Sequence, residues 1–181
     1  MTITTSFATR ARVAAALTIL AATAACGGGG GDSSTGPKPV QPGTFSANIS
    51  GAVSAQLTGL AVFNTGSNAS QLALGTADGK RTIAFTRLVA GVPGTGSYTL
   101  GNDDESSTDF LGSYIVVDGN TGALFASRAG SGTLHITASS ASHLAGTFTW
   151  TGYDSDQPDA RTITVTGSFD APVGGATETI R

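Results

Sequence analysis

Residues 133–137 (TLHIT), 147–151 (TFTWT) and 162–166 (TITVT) decide the fold class. In each run an apolar residue alternates with threonine or histidine, and a period of two puts one set of side chains on each face of an extended strand. Leu134 and Ile136, Phe148 and Trp150, and Ile163 and Val165 form the apolar faces. The threonines form the faces toward water, where a β-branched residue keeps the extended backbone favourable. Working outward, the same rhythm recurs. Phe45, Ala47 and Ile49 alternate with Ser46 and Asn48, and Ile83 and Phe85 alternate with Thr82 and Ala84. Tyr98 and Leu100 share another face. Leu60 and Val62 begin a further buried run, with Phe63 beside it, and Tyr114–Val117 reads as another strand.

Turn signals separate these runs. Asp78–Gly79 between the Leu72/Leu74 and Ile83/Phe85 runs predicts a hairpin with a tight primed turn. Asp118–Gly119–Asn120 and Val92–Pro93–Gly94 predict two more turns, and Gly167 inside an alternating run predicts a bulge. Charged residues make up only 12% of the 181, and no segment after residue 30 has a sustained helical period. The expected fold is all-β: a single antiparallel β-sandwich or barrel of about nine or ten strands, covering residues 44–173, with a flexible tail at 174–181.

The N-terminal part reads as an address. Arg10 and Arg12 precede an apolar stretch, Val13–Ala25, of 13 residues. That is shorter than the roughly 20 needed to span a bilayer and has the length of a signal-peptide core. It ends at Cys26, the only cysteine, so a mature chain forms no internal disulfide. Thr23-Ala24-Ala25-Cys26 resembles the lipobox of bacterial lipoproteins, with threonine where an aliphatic residue is usual. The resemblance implies removal of residues 1–25 as a signal peptide and attachment of diacylglyceryl and acyl chains of the palmitate class at Cys26. Residues 26–43, rich in Gly and Pro, would then be a tether. Gly27 after the cysteine implies sorting to the outer membrane of a bacterial cell envelope.

Losing Arg10 and Arg12 with the signal removes two positive charges and takes the formal net charge from −3 to −5. That balance disfavours nucleic acid as a partner. Five segments taken together carry a second resemblance: 45–51 (FSANISG), 96–100 (GSYTL), 132–137 (GTLHIT), 144–150 (LAGTFTW) and 165–169 (VTGSF). Their order resembles a family of bacterial lipoprotein β-domains, covering residues 44–171, with no established activity to transfer.

Few residues point to chemistry. His135 and His143 are the only histidines, and their spacing does not enforce a metal site. Asp154, Asp156 and Asp159 have carboxylates close in sequence that could converge on calcium, although the central Gly and terminal Glu of an EF-hand are absent. Asp103, Asp104, Glu105 and Asp109 form a second acidic loop. Gly94–Thr95–Gly96 lacks the third glycine of a dinucleotide loop, no Gly-x-Ser-x-Gly elbow occurs, and Glu is confined to Glu105 and Glu178. Trp150, Tyr153, Tyr114 and Tyr98 are the candidates for a sugar-stacking platform, with Tyr153, at a strand end, the one to watch. The expectation is a non-enzymatic, lipid-anchored module with no cofactor, recognising a protein or a glycan partner. A small-ligand or glycan binder, or a hydrolase built on facing carboxylates, is the alternative.

Overall fold

The structure is a computed structural model, and it describes residues 40–101, 109–119 and 121–175. Cys26, the expected tether up to residue 39, Asp103, Asp104, Glu105 and the expected tail beyond residue 175 lie outside these residues.

Ten strands and no helix occur among the described residues. They are β1 (Thr44–Gly51), β2 (Ala55–Thr65), β3 (Ser70–Thr76), β4 (Arg81–Arg87), β5 (Gly96–Leu100), β6 (Leu111–Asp118), β7 (Thr121–Ala126), β8 (Gly132–Ser139), β9 (His143–Asp154) and β10 (Thr162–Gly175). Antiparallel ladders run β1–β2–β3–β4–β6–β7–β9–β10 and back to β1, so eight strands close a barrel. The seam between β7 and β9 is short, with Phe125 opposite Asp154 and Ala126 opposite Tyr153. Further along β9 the same edge pairs with β8, and β8 carries β5. Where β10 runs past the start of β1 it meets β2 in a three-residue parallel register, Val173 opposite Phe63.

Alternation explains the closure. Phe45, Phe63, Phe85, Phe125, Phe148 and Phe169 all point inward and are at most 3% exposed, packed around Tyr114 and Trp150. Phe85 touches Phe148 at 5.1 Å between ring centroids and Trp150 at 6.5 Å, in tilted and edge-on arrangements. Eight strands leave an interior just wide enough for side chains to fill, and here aromatic rings fill it.

The structure corrects several local expectations. In β2 the inward set is Leu57, Gly59, Ala61 and Phe63, while Leu60 is 50% exposed. The small residues at two inward positions disguise the phase, so the larger Leu60 and Val62 read as the buried face. The turn after β3 is not a two-residue primed turn. Gly79 donates its N–H to Thr76 O (2.9 Å) and alone takes positive φ, +68°, after Asp78. The two-residue turn is the next one, where Asp118 pairs with Thr121 and Gly119 has φ +60°. Val92–Pro93–Gly94 belongs to a crossover, since β5 pairs with β8 and not with β4. Pro93 is buried there, its carbonyl accepting a bond from Ser139 Oγ (2.6 Å). Gly167 keeps regular register with Ala47 and Phe148 and forms no bulge; the irregularity falls in β8, between Ile136 and Ala138. β10 also reaches Gly175, two residues beyond the expected domain end.

Candidate functional site

The filled interior moves any recognition to the outside of the barrel or to its ends. Outside, hydroxyls and amides line up by register. Thr99, Thr133, Thr149, Thr166, Asn48 and Gln56 form one row across β5, β8, β9, β10, β1 and β2. Polar outside and apolar inside is the reverse of the pattern of a membrane-spanning barrel, whose lipid-facing band is apolar. A small exception is the outer face of the β6–β7 hairpin, where Ile115, Val117 and Leu124 are 39–49% exposed.

The residues singled out from sequence do not come together. Asp154 is buried, 4% exposed, and its carboxylate is already committed. Oδ2 faces Arg161 Nη1 at 2.8 Å, and Oδ1 accepts from the N–H groups of Asp156 (2.9 Å) and Gln157 (3.3 Å). It therefore braces the β9–β10 loop. Asp159 turns the other way, 3.7 Å from Arg128, and Asp156 is exposed. Among the described residues no three His, Cys, Asp or Glu side chains gather around a point where a metal ion could sit. His135 Nδ1 shares a hydrogen bond with Ser97 Oγ (2.9 Å) on the exposed face, and His143 Nε2 meets Asp170 Oδ1 at 2.7 Å across the β9–β10 ladder.

Nor do the aromatics form a platform. Trp150 and Tyr114 belong to the core, and Tyr98 packs edge-on against Phe110 and donates its hydroxyl to Gly94 O. Tyr153 is partly exposed, but the Arg128 guanidinium lies over its ring at 4.3 Å. That stacking occupies the face a sugar would need.

Among the described residues, a cleft of about 470 Å³ lies at the barrel end where the β3–β4 and β6–β7 turns are. Its walls are the start of β2 (Gln56–Thr58), the turn from Thr76 to Arg81, and the end of β6 (Val116–Asp118). Hydrogen bonds fix the turn. Thr76 Oγ1 donates to Asp78 Oδ1 (2.6 Å), and the N–H of Lys80 donates to the same oxygen (3.0 Å). These bonds hold the Asp78 carboxyl below its ordinary 3.8, the Thr76 bond contributing most. Arg81 N–H donates to Thr76 Oγ1 (3.2 Å), anchoring the backbone from which the Arg81 side chain enters the cleft. Lys80 reaches Asp118 at 3.7 Å.

Arg81 escaped the sequence reading, although a signal was present. It shares the inward phase of Ile83 and Phe85, so a cation stands at the rim of an apolar face. Two inward polar atoms deeper in the core, Tyr114 Oη and Trp150 Nε1, have no hydrogen-bond partner. Burial pushes the Tyr114 phenol upward, an effect that the charge of Arg81 opposes. Arg87, the inward arginine at the other end of β4, lies over the Tyr98 ring at 6.0 Å, and its buried Nε likewise has no hydrogen-bond partner.

No family of known sequences, no curated protein and no solved structure matches this chain. The residues themselves carry the functional argument.

Proposed function

We propose that the chain is a membrane-anchored lipoprotein of the bacterial cell envelope, most plainly of its outer membrane, whose barrel is a non-catalytic module for binding or interaction. The observation that carries this reading is the lone Cys26 at the end of a 13-residue apolar stretch preceded by Arg10 and Arg12. A Gly/Pro-rich tether after it, and a barrel with apolar residues inside and polar residues outside, fit a soluble domain held beside a membrane by acyl chains. Two or more chains give stable anchoring where one is marginal.

Within that reading, small-ligand binding is favoured over glycan stacking. The cleft at Arg81 is concave and polar, whereas the ring of Tyr153 is covered by Arg128.

The test is the Cys26→Ser chain expressed in a bacterial host. The wild type should partition with membranes and have the mass of residues 26–181 plus acyl chains. The variant should appear in the soluble fraction without them. Membrane retention of the variant, or an unmodified wild-type mass, would sink the anchor.

A further inference from the structure

Five cations lie among the described residues; three have a carboxylate within 4.0 Å, while Arg87 has only a ring 6.0 Å away and a buried Nε without a hydrogen-bond partner. Lys80 faces Asp118, and Arg128 faces Asp159 and the Tyr153 ring. Arg161 is paired with Asp154 and stacks on Phe125, and Arg87 lies over Tyr98. Arg81 alone of these has neither a carboxylate within 4.0 Å nor an aromatic ring beneath it, and it lines the cleft. We propose that this cleft is a binding site for a small carboxylate-bearing molecule, with the Arg81 guanidinium as its principal contact.

The chemistry follows from what surrounds Arg81. A half-buried guanidinium presents a planar fork of N–H donors that suits a carboxylate bidentately. The acidic groups on the rim make their direct contacts elsewhere: Asp78 accepts from Thr76 Oγ1 and the Lys80 N–H, and Asp118 faces the Lys80 ammonium. Tyr114, which is opposite Ile83 in the β4–β6 ladder, is a neutral phenol near pH 7, since burial raises it above an ordinary value of 10.0. The Arg81 guanidinium therefore has no direct ion pair, although Asp78 and Asp118 share the rim of its cleft.

Size and charge narrow the ligand further. About 470 Å³ lies in the range of small-molecule sites. Two carboxylates on the rim, Asp78 and Asp118, penalise each additional negative charge, so a monovalent carboxylate is preferred to a phosphate dianion. Residues 56–58 at the start of β2 form the wall of the cleft on the other side. This inference rests on the binding-module reading and not on the anchor. Its test reads the barrel, and membrane fractionation reads the lipid.

The measurement is the amide and arginine side-chain NMR spectrum of the mature chain titrated with sodium acetate, then with inorganic phosphate at the same ionic strength. Acetate should shift the Arg81 side chain and the amides of residues 56–58 and 116–118 with a saturating curve. Arg81→Gln should weaken that binding by about tenfold or more, the factor expected when a charge-assisted bidentate contact is lost. Arg81→Lys should fall in between. Lys80→Gln, which removes a neighbouring charge of the same sign, should change the affinity by less than about twofold, because that ammonium is already matched by Asp118. Linear, non-saturating shifts, equal loss in Lys80→Gln and Arg81→Gln, or tighter binding of phosphate than of acetate would each overturn the assignment. Arg81→Lys keeps the test decisive should the glutamine variant fold poorly.

Discussion

Replacing Gly167 by alanine inserts one methyl group where β10 passes closest to its neighbours. The new Cβ would lie 2.4 Å from Ser46 O and 2.5 Å from Phe148 Cζ, against ordinary contacts of 3.4–4 Å. Each neighbour must retreat by about 1 Å, and neither is free to do so. Ser46 is held in the β1–β10 ladder, where Ala47 is opposite Gly167, and Phe148 is 3% exposed with Phe85 at 5.1 Å. Overpacking of this kind costs about 1–3 kcal/mol, and a weakened ladder hydrogen bond adds about 1 kcal/mol. The expected loss is about 3 kcal/mol, or about 10 °C in Tm for a domain of this size. Gly75→Ala is the control. It is another strand glycine, but its Cβ would meet nothing within 4 Å and its backbone is not left-handed. Reducing the freedom of the unfolded chain there should gain about 0.5 kcal/mol. Urea and thermal unfolding of both variants, followed by circular dichroism, reads the difference directly. A neutral Gly167→Ala, or equal losses at the two positions, would refute the argument that close strand approach selects glycine at 167.

Further outcomes follow from the buried polar groups. Asp154→Ala should cost about 2–3 kcal/mol, because the carboxylate joins Arg161 to two loop N–H groups, though Arg161 is 41% exposed and part of the ion pair is screened. The same geometry predicts that calcium leaves the wild-type melting curve unchanged; a site saturated a hundredfold would stabilise by about 2.7 kcal/mol and be plain in a thermal scan. Tyr114→Phe removes a buried hydroxyl that has no partner, so urea unfolding should show a change from zero to about 1 kcal/mol of added stability. Because the folded phenol titrates above 10.0, this group favours the folded state below pH 10, and its contribution is lost as pH rises through the folded value. Base titration should therefore find Tyr114→Phe more resistant above pH 10 than the wild type.

The sequence displays the strands plainly where large apolar residues alternate with threonine. TFTWT and TITVT leave no ambiguity of face, and β9 and β10 lie where they were expected, with Trp150 inside and the threonines outside. It misleads where an inward position must be small. In β2, Gly59 and Ala61 face the core because a Cβ at Gly59 would meet Gly75 O at 2.1 Å and the Phe45 ring at 2.9 Å. Hydrophobicity then peaks on the wrong side, at Leu60. Gly167 misleads in a related way, since a strand glycine can mark a bulge or a close approach, and only the path of Phe148 distinguishes them. Which strands become neighbours is likewise invisible. β5 passes over β4 and β6 to reach β8, a choice made by long-range packing. The candidate site suffers most, because its walls come from three strands distant in sequence. The one local clue is that Arg81 shares a face with Ile83 and Phe85.

That clue also bears on why a cation is placed there. An inward arginine at the rim of an aromatic barrel loses hydration without gaining an ion pair, so it contributes little to folding and costs some desolvation. Arg161 answers the same problem differently, at the same end of the barrel, by pairing with buried Asp154 and stacking on Phe125. The fold thus can supply an internal partner at this end and does so for one arginine only. For Arg81 the neighbouring acids are turned elsewhere, Asp78 by its own turn and Asp118 toward Lys80. If Arg81 held no ligand, Arg81→Leu would strengthen the barrel, extending the face of Ile83 and Phe85 to the rim, with no accompanying loss. On the binding reading the same variant gains stability and loses acetate together. A variant that melts higher and still binds would separate the two and remove Arg81 from the site.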